Sequence, residues 1–160
     1  MEIWKWLYEL SLSKTIRESS WIFPAAQCIH IYSLVGLIGL VSAFDFRLMG
    51  FSMDNRTERR PISEFANFVL RWIWIPLAIN LFTGGLMFAS HAVEYRNNSA
   101  FLTKMLLLLV GIGYHLSILF KTSRSSKERE MTLGLRLLTG SSILLWAGVI
   151  TASRWIAYKQ

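Results

Sequence analysis

The chain has 160 residues, of which 53% are hydrophobic and only 17% charged, with a formal net charge of +7. A soluble domain of this size carries about 25% charged residues, and here the charges gather in short blocks between apolar runs too long for a soluble core. The basic balance does not read as a nucleic-acid footprint, because the bases flank apolar segments where anionic headgroups account for them.

No cleavable small-residue site follows a hydrophobic run near the start, so no signal peptide is expected. Within residues 1–18, Ile3, Trp4, Leu7, Leu10 and Leu12 recur at near-helical spacing with Lys5, Glu9 and Lys14 between them. That pattern predicts a short amphipathic helix lying in the membrane interface. Four apolar segments follow, at 21–44, 67–90, 101–120 and 132–158. Each reaches the roughly 20 residues that a helix needs to cross a bilayer. Lipid offers unpaired backbone no partner, so these segments are expected as helices. The predicted fold is all-α: a four-transmembrane-helix bundle with an N-terminal interfacial helix, forming one membrane domain over 1–160.

In the first span, Gln27, His30, Leu34, Leu37 and Val41 share a face, bordered by Ser33. Pro24 sits in the first turn, where a missing N–H costs little. Gly36, Gly39 and Ala43 form a stripe for close helix contact. The second span aligns Asn80, Gly84, Met87 and His91, with Thr83 alongside. Gly84 and Gly85 leave a notch for a flat ligand or a neighbouring helix. Trp72 and Trp74 belong to an aromatic belt, and Pro76 is expected to kink the helix. The third span places Lys104, Leu108, Gly111 and His115 on one face. The fourth has no histidine but carries Arg136 and Arg154 near its ends.

Of the 17 Lys and Arg, ten lie in or beside the loops 45–66 and 121–131: Arg47, Arg56, Arg59, Arg60, Arg71, Lys121, Arg124, Lys127, Arg129 and Arg136. The other seven lie toward the opposite face. The bias predicts a bacterial inner-membrane protein with cytoplasmic basic loops and periplasmic termini.

An ionisable side chain within a bilayer marks a functional site by default, and imidazole is a common ligand of haem iron and copper. At about 1.5 Å per residue, His30 lies about 14 Å from the outer end of its span, His115 about 21 Å from that face, and His91 about 6 Å or less. The leading expectation is a b-type haem ligated by His30 and His115, with His30 and His91 as the second pairing. Gly84 and Gly111 would let the backbone approach the ring, and Arg71, Arg136 and Arg154 would meet its propionates. The plainer alternative for each histidine is an interhelical hydrogen bond. Copper is the alternative ligand: Met87 and His91 are four apart and share a face, and thioether with imidazole suits Cu(I). Cys28 and His30 are turned about 200° apart and cannot chelate one ion. A third reading is a cofactor-free structural or assembly subunit, with Asp45, Arg47, Arg71 and Arg136 forming an ion network or serving a transported anion or proton. No phosphate loop, zinc motif or nucleophilic triad spacing is present. The expected role is an electron carrier rather than an enzyme by itself. The lipid bilayer, a redox partner or quinone, and a homo-oligomer or larger membrane complex are its expected partners.

Two stretches carry a resemblance. The first is Phe23-Pro24-x-x-Gln27-x-x-His30, continued through Gly36 and Gly39 to Asp45-Phe46-Arg47-Leu48-Met49-Gly50. The second is Thr83-Gly84-Gly85-Leu86-Met87-Phe88, followed by Tyr95, Asn97, Phe101 and Lys104-Met105-Leu106-Leu107. Together, over roughly residues 20 to 120, they resemble an uncharacterised bacterial family of small four-helix membrane proteins, a domain of unknown function. More loosely, a four-helix unit with membrane histidines is similar to copper resistance protein D and to bacterial b-type cytochromes, by architecture alone. The resemblance implies the fold and transfers no activity.

Overall fold

The structure is a computed structural model that describes residues 2–51, 61–96, 98–124 and 133–155. Those residues are all helical or connecting, with no strand among them. Two short helices, α1 (Glu2–Glu9) and α2 (Ser11–Glu18), precede a long α3 (Ile22–Leu48). Then come α4 (Ile62–Trp72), α5 (Trp74–Ser90), the single turn α6 (Ala92–Tyr95), α7 (Ser99–Ser123) and α8 (Leu133–Trp155).

Three helical rods are long and apolar enough to cross a membrane: Ile22–Leu48, Ile62–Ser90 and Ser99–Ser123. They place the chain in a lipid bilayer. Large apolar side chains such as Tyr32, Val35, Phe82, Leu106 and Leu144 point outward. Such an exterior suits lipid and not water. The fourth expected span corresponds to α8, which is 23 residues long.

The boundaries have local causes. α3 ends because Gly50 takes φ 81°, a conformation that glycine adopts without penalty. The Gly50 N–H then donates to the Arg47 carbonyl at 3.1 Å, and the Phe51 N–H to the Phe46 carbonyl at 3.0 Å. The Phe46 and Phe51 rings meet edge to face at 6.3 Å. This is the Schellman closure with its apolar contact, and it explains the glycine that closes the Asp45–Gly50 stretch. The second rod breaks at Ile73, between α4 and α5. Pro76 lacks the N–H that would bond the Trp72 carbonyl, so the expected kink falls there. α7 starts at the Asn98 cap, whose Oδ1 accepts the N–H of Ala100 at 3.0 Å and of Phe101 at 3.2 Å.

The single interfacial helix expected over 1–18 is instead two helices hinged at Leu10, whose ψ of 138° leaves the helical region. The hinge lets Arg17 reach back. Its guanidinium sits 3.9 Å over the Tyr8 ring and donates to the carbonyls of Tyr8 at 3.3 Å and Ser90 at 3.1 Å. α2 is thereby fastened to the end of α5.

α3 packs mainly on α5, α7 on α8 and α4, and α3 also on α8. The apolar core is Leu37, Val41, Phe44 and Leu48 of α3 against Ala66, Val69 and Leu77, with Leu108 and Leu119 of α7 and Trp146 and Val149 of α8. On α3 these residues recur every three or four positions, the spacing of one helix face. They all lie beyond His30, so the half of the bundle near Asp45 is filled and the half near His30 is not.

Candidate functional site

The open half holds a cleft of two adjoining compartments, about 320 Å³ and about 360 Å³. Both are lined by His30, Gly84, Phe88, Phe101 and Lys104. The first adds Phe23, Gln27, Met87, His91, Tyr95 and Ser153. The second is more apolar, with Trp4, Leu34, Leu81, Met105, Leu108 and Val149. Helical spacing delivers these residues: 23, 27, 30 and 34 along α3, and 80, 84 and 87 along α5, with His91 at the C-cap of α5. Phe101 lies between Phe88 and Tyr95, stacked on both at 9° with centroids 5.3 and 5.2 Å away.

The protein fixes one nitrogen of each cleft histidine. His30 Nδ1 lies 3.1 Å from the Asn80 carbonyl and 3.0 Å from Thr83 Oγ1. A carbonyl only accepts, and Thr83 Oγ1 already donates to the Ile79 carbonyl at 2.7 Å. The proton therefore sits on His30 Nδ1, and Nε2 keeps a lone pair. His91 repeats the arrangement. Its Nδ1 is 2.8 Å from Ser90 Oγ, and Ser90 Oγ donates to the Met87 carbonyl at 2.8 Å. With its own proton on the Met87 carbonyl, Ser90 Oγ can accept from His91 Nδ1, the tautomer that leaves Nε2 its lone pair. Neither Nε2 has a hydrogen-bond partner among the described residues.

Around His30, Asn80 ties α5 to α3 by donating to the His30 carbonyl and to Ser33 Oγ, both at 3.2 Å. Gly84 lies close beneath the ring, where a Cβ would sit 3.1 Å from His30 Cε1. His91 is held edge-on by Phe23 at 5.1 Å and flanked by Tyr95 at 6.0 Å. Burial, and then Glu94 beside it, push the Tyr95 phenol above its ordinary range, which keeps it a neutral hydroxyl.

His115 belongs to a different place. Its Nδ1 donates to the Gly111 carbonyl at 3.0 Å, with the Trp146 indole nitrogen 3.4 Å away. Its Nε2 lies 3.3 Å from Asp45 Oδ2 and 2.8 Å from Ser142 Oγ. Ser142 donates to the same carboxylate oxygen. Asp45, His115 and Ser142 are 2%, 1% and 0% exposed. The adjacent void is about 10 Å³, no larger than one water. Serine and aspartate share one imidazole nitrogen here, whereas a nucleophilic triad sets them on opposite nitrogens. With no room for a substrate, the cluster is a polar clamp joining α3, α7 and α8.

The structure brings His30, His91, Met87 and Gly84 together and leaves His115 and Gly111 outside the cleft. Asp45 lies fifteen residues beyond His30 on α3, about 22 Å along the axis. His115 sits against Asp45, so the leading pairing of His30 with His115 is corrected: the two cannot share one ligand. Counted along their own helices, His115 lies about 24 Å from the start of α7 and His30 about 12 Å from the start of α3. Gly111 serves a helix contact instead of a flat ring, since a Cβ there would lie 2.7 Å from Leu145 Cδ2. Arg71 is exposed and lines neither compartment. Arg154 is also exposed, next to Ser153 at the cleft edge. The side chain of Arg136 lies outside the described residues. Sequence reasoning missed the Asp45–His115–Ser142 clamp, although one acid and one histidine inside membrane-length helices are a signal that they pair. It also gave Lys104 no part in the site. Among the described residues, no three His, Cys, Asp or Glu side chains are placed to hold a metal ion.

The family model of DUF6644, a family of unknown function, matches residues 12–159. The chain belongs to DUF6644. This match takes in α8 as well as the stretches that carried the resemblance, so the DUF6644 unit includes both the cleft and the clamp. No curated protein matches the chain, and no solved structure does. The looser likeness to copper resistance protein D and b-type cytochromes has no support among these comparisons.

Proposed function

We propose that this member of DUF6644 is a four-span b-type haem protein of a bacterial inner membrane, serving electron transfer or haem-linked sensing. His30 and His91 are the residues that would hold its iron. One observation carries the reading: both histidines set Nδ1 against an oxygen of α5 or its end and leave Nε2 without a hydrogen-bond partner among the described residues in one cleft. Metal-binding histidines have this arrangement, with the far nitrogen donating to an oxygen that fixes tautomer and ring.

The donor set also favours a macrocycle over a bare ion. A haem brings four ring nitrogens and asks the protein for one or two axial ligands, and two imidazoles and the Met87 thioether line the cleft. The flat Phe88–Phe101–Tyr95 stack and the Gly84 notch suit a planar group. The two compartments fall within the roughly 300–1,000 Å³ of small-molecule sites. When bound, the iron would supply one-electron redox chemistry. The chain's own part is to orient the imidazoles through Asn80, Thr83 and Ser90 and to keep an apolar wall around the ring.

The fourth span is α8, about 34 Å long at 23 residues. Thr139, Ser142, Trp146, Val149 and Ala152 are buried on one side of it, while Leu137, Ile143, Leu144 and Ile150 are exposed on the other. The basic loops face the cytoplasm and the termini the periplasm, with α1 and α2 lying in the interface. Copper handling is the second reading, favoured by one observation: His30, Met87 and His91 line the same compartment, as Cu(I) prefers.

The test is a haemin titration into the detergent-purified protein, followed by absorption. A sharp Soret band that saturates at one haem per chain and is lost in His30→Ala supports the haem reading. No Soret band, with copper retained and lost in a Met87→Ala/His91→Ala pair, moves the assignment to copper.

A further inference from the structure

The cleft contains a cation that no other part of the site explains. Lys104 lies in the second turn of α7, about 7–8 Å along the helix, and lines both compartments. It makes no hydrogen bond and no ion pair with the described residues. Among the described residues, no Asp or Glu lines either compartment. At the same end of the bundle, Arg17 places a second positive charge against the Ser90 carbonyl. An ammonium without a counter-charge is costly at membrane depth and is found where a ligand or partner supplies one.

Its position separates two chemistries. On one side are the polar groups of Gln27, His91, Tyr95 and Ser153. On the other is the apolar compartment, where Leu81 and Met105 are 53% and 37% exposed on the outer surface of the bundle. That compartment therefore opens toward lipid. A molecule entering there slides an apolar body past Leu34 and Leu108 and meets Lys104 with its polar end.

The geometry points to Lys104 as the anchor for a carboxylate on the cleft's ligand, which is an amphiphile entering from the bilayer. Among the described residues no second Lys or Arg lines the cleft, which matches a monoanionic carboxylate and not a dianionic phosphate. The inference rests on reading this cleft as a ligand site. Under the haem reading the carboxylate is a propionate; otherwise it is an alkanoate chain.

The experiment compares acid with neutral analogue in two arms, on the full chain in detergent. One arm measures affinity for haem and for its dimethyl ester by absorption. The other measures dodecanoate and dodecanol by quenching of tryptophan fluorescence. Wild type, Lys104→Met, Lys104→Arg and His30→Ala are run together, with circular dichroism confirming that each is folded. A charge-assisted contact predicts a preference for the acid of roughly tenfold or more in wild type. That preference should vanish in Lys104→Met and persist in Lys104→Arg. His30→Ala should lose the haem spectrum while keeping any preference for the acid in the dodecanoate arm. A Lys104-dependent preference for dodecanoate without any haem spectrum upholds the carboxylate anchor and removes the haem reading. Equal affinity for acid and neutral analogue in both arms overturns the inference, as does a preference that survives Lys104→Met.

Discussion

His30 and His115 both lie inside membrane-length helices, yet their surroundings differ in one decisive respect. Around His115 every imidazole nitrogen has a protein partner: Gly111 on one side, Asp45 and Ser142 on the other. The ring is 1% exposed. Around His30 the protein engages Nδ1 alone and leaves Nε2 facing a cleft. A histidine satisfied on both sides binds helices to each other; a histidine satisfied on one side is set to bind something else. Sequence alone could not separate them, because both are single histidines on apolar faces near glycines.

Substitutions should split the two sites, and the largest effect is expected in the clamp. Asp45→Ala leaves His115 and Ser142 buried without their acceptor, and breaking a buried pair of this kind costs about 3–5 kcal/mol. Chemical or thermal unfolding in detergent should register that loss, while the protein that remains folded keeps any cleft spectrum. Gly111→Ala comes next. Its new methyl would lie 2.7 Å from Leu145 Cδ2, the end of a side chain that can turn aside, and 3.7 Å from Trp146, so the overpacking cost stays at the low end, about 1 kcal/mol. The same unfolding assay checks it. Asn98→Ala removes the cap of α7 and should cost about 1 kcal/mol, read as a small downward shift of the midpoint. Gly84→Ala should change stability least, by under about 1 kcal/mol. Its methyl presses on His30 Cε1 at 3.1 Å, so the measurable effect is a several-fold loss of haem affinity. A Gly84→Ala chain as destabilised as Asp45→Ala would show that the open half is packed after all.

Much of the fold was legible in the sequence. The expected spans 21–44, 67–90 and 101–120 match the three membrane-length rods within a few residues, because apolar length is a strong signal. The second rod begins at Ile62, earlier than expected, because its first turn carries Ser63 and Glu64 and reads as loop. The hinge at Leu10 left no mark in periodicity; it depends on Arg17 finding Tyr8 and Ser90, a contact spanning 73 residues at its longer reach. The site was legible in part. The face shared by Gln27, His30 and Leu34, and that shared by Gly84, Met87 and His91, both turned toward the cleft. Pairing failed because depth was counted from hydropathy boundaries, whereas His115 sits beside Asp45, fifteen residues and about four turns beyond His30 on α3. The mate of His115 was hidden because Asp45 reads as the edge of a loop motif, whereas α3 continues through it to Leu48.

The central claim is that the cleft histidines, and not the clamp histidine, hold a cofactor. The most direct measurement is the reduced-minus-oxidised absorption spectrum of protein purified from haem-supplied cells, for wild type and for His30→Ala, His91→Ala and His115→Ala at equal folded concentration. A sharp Soret and α band is expected in wild type, lost in His30→Ala, lost or strongly altered in His91→Ala, and kept in the folded fraction of His115→Ala. A flat wild-type spectrum, or a band that depends on His115 and not on His30, would contradict that claim.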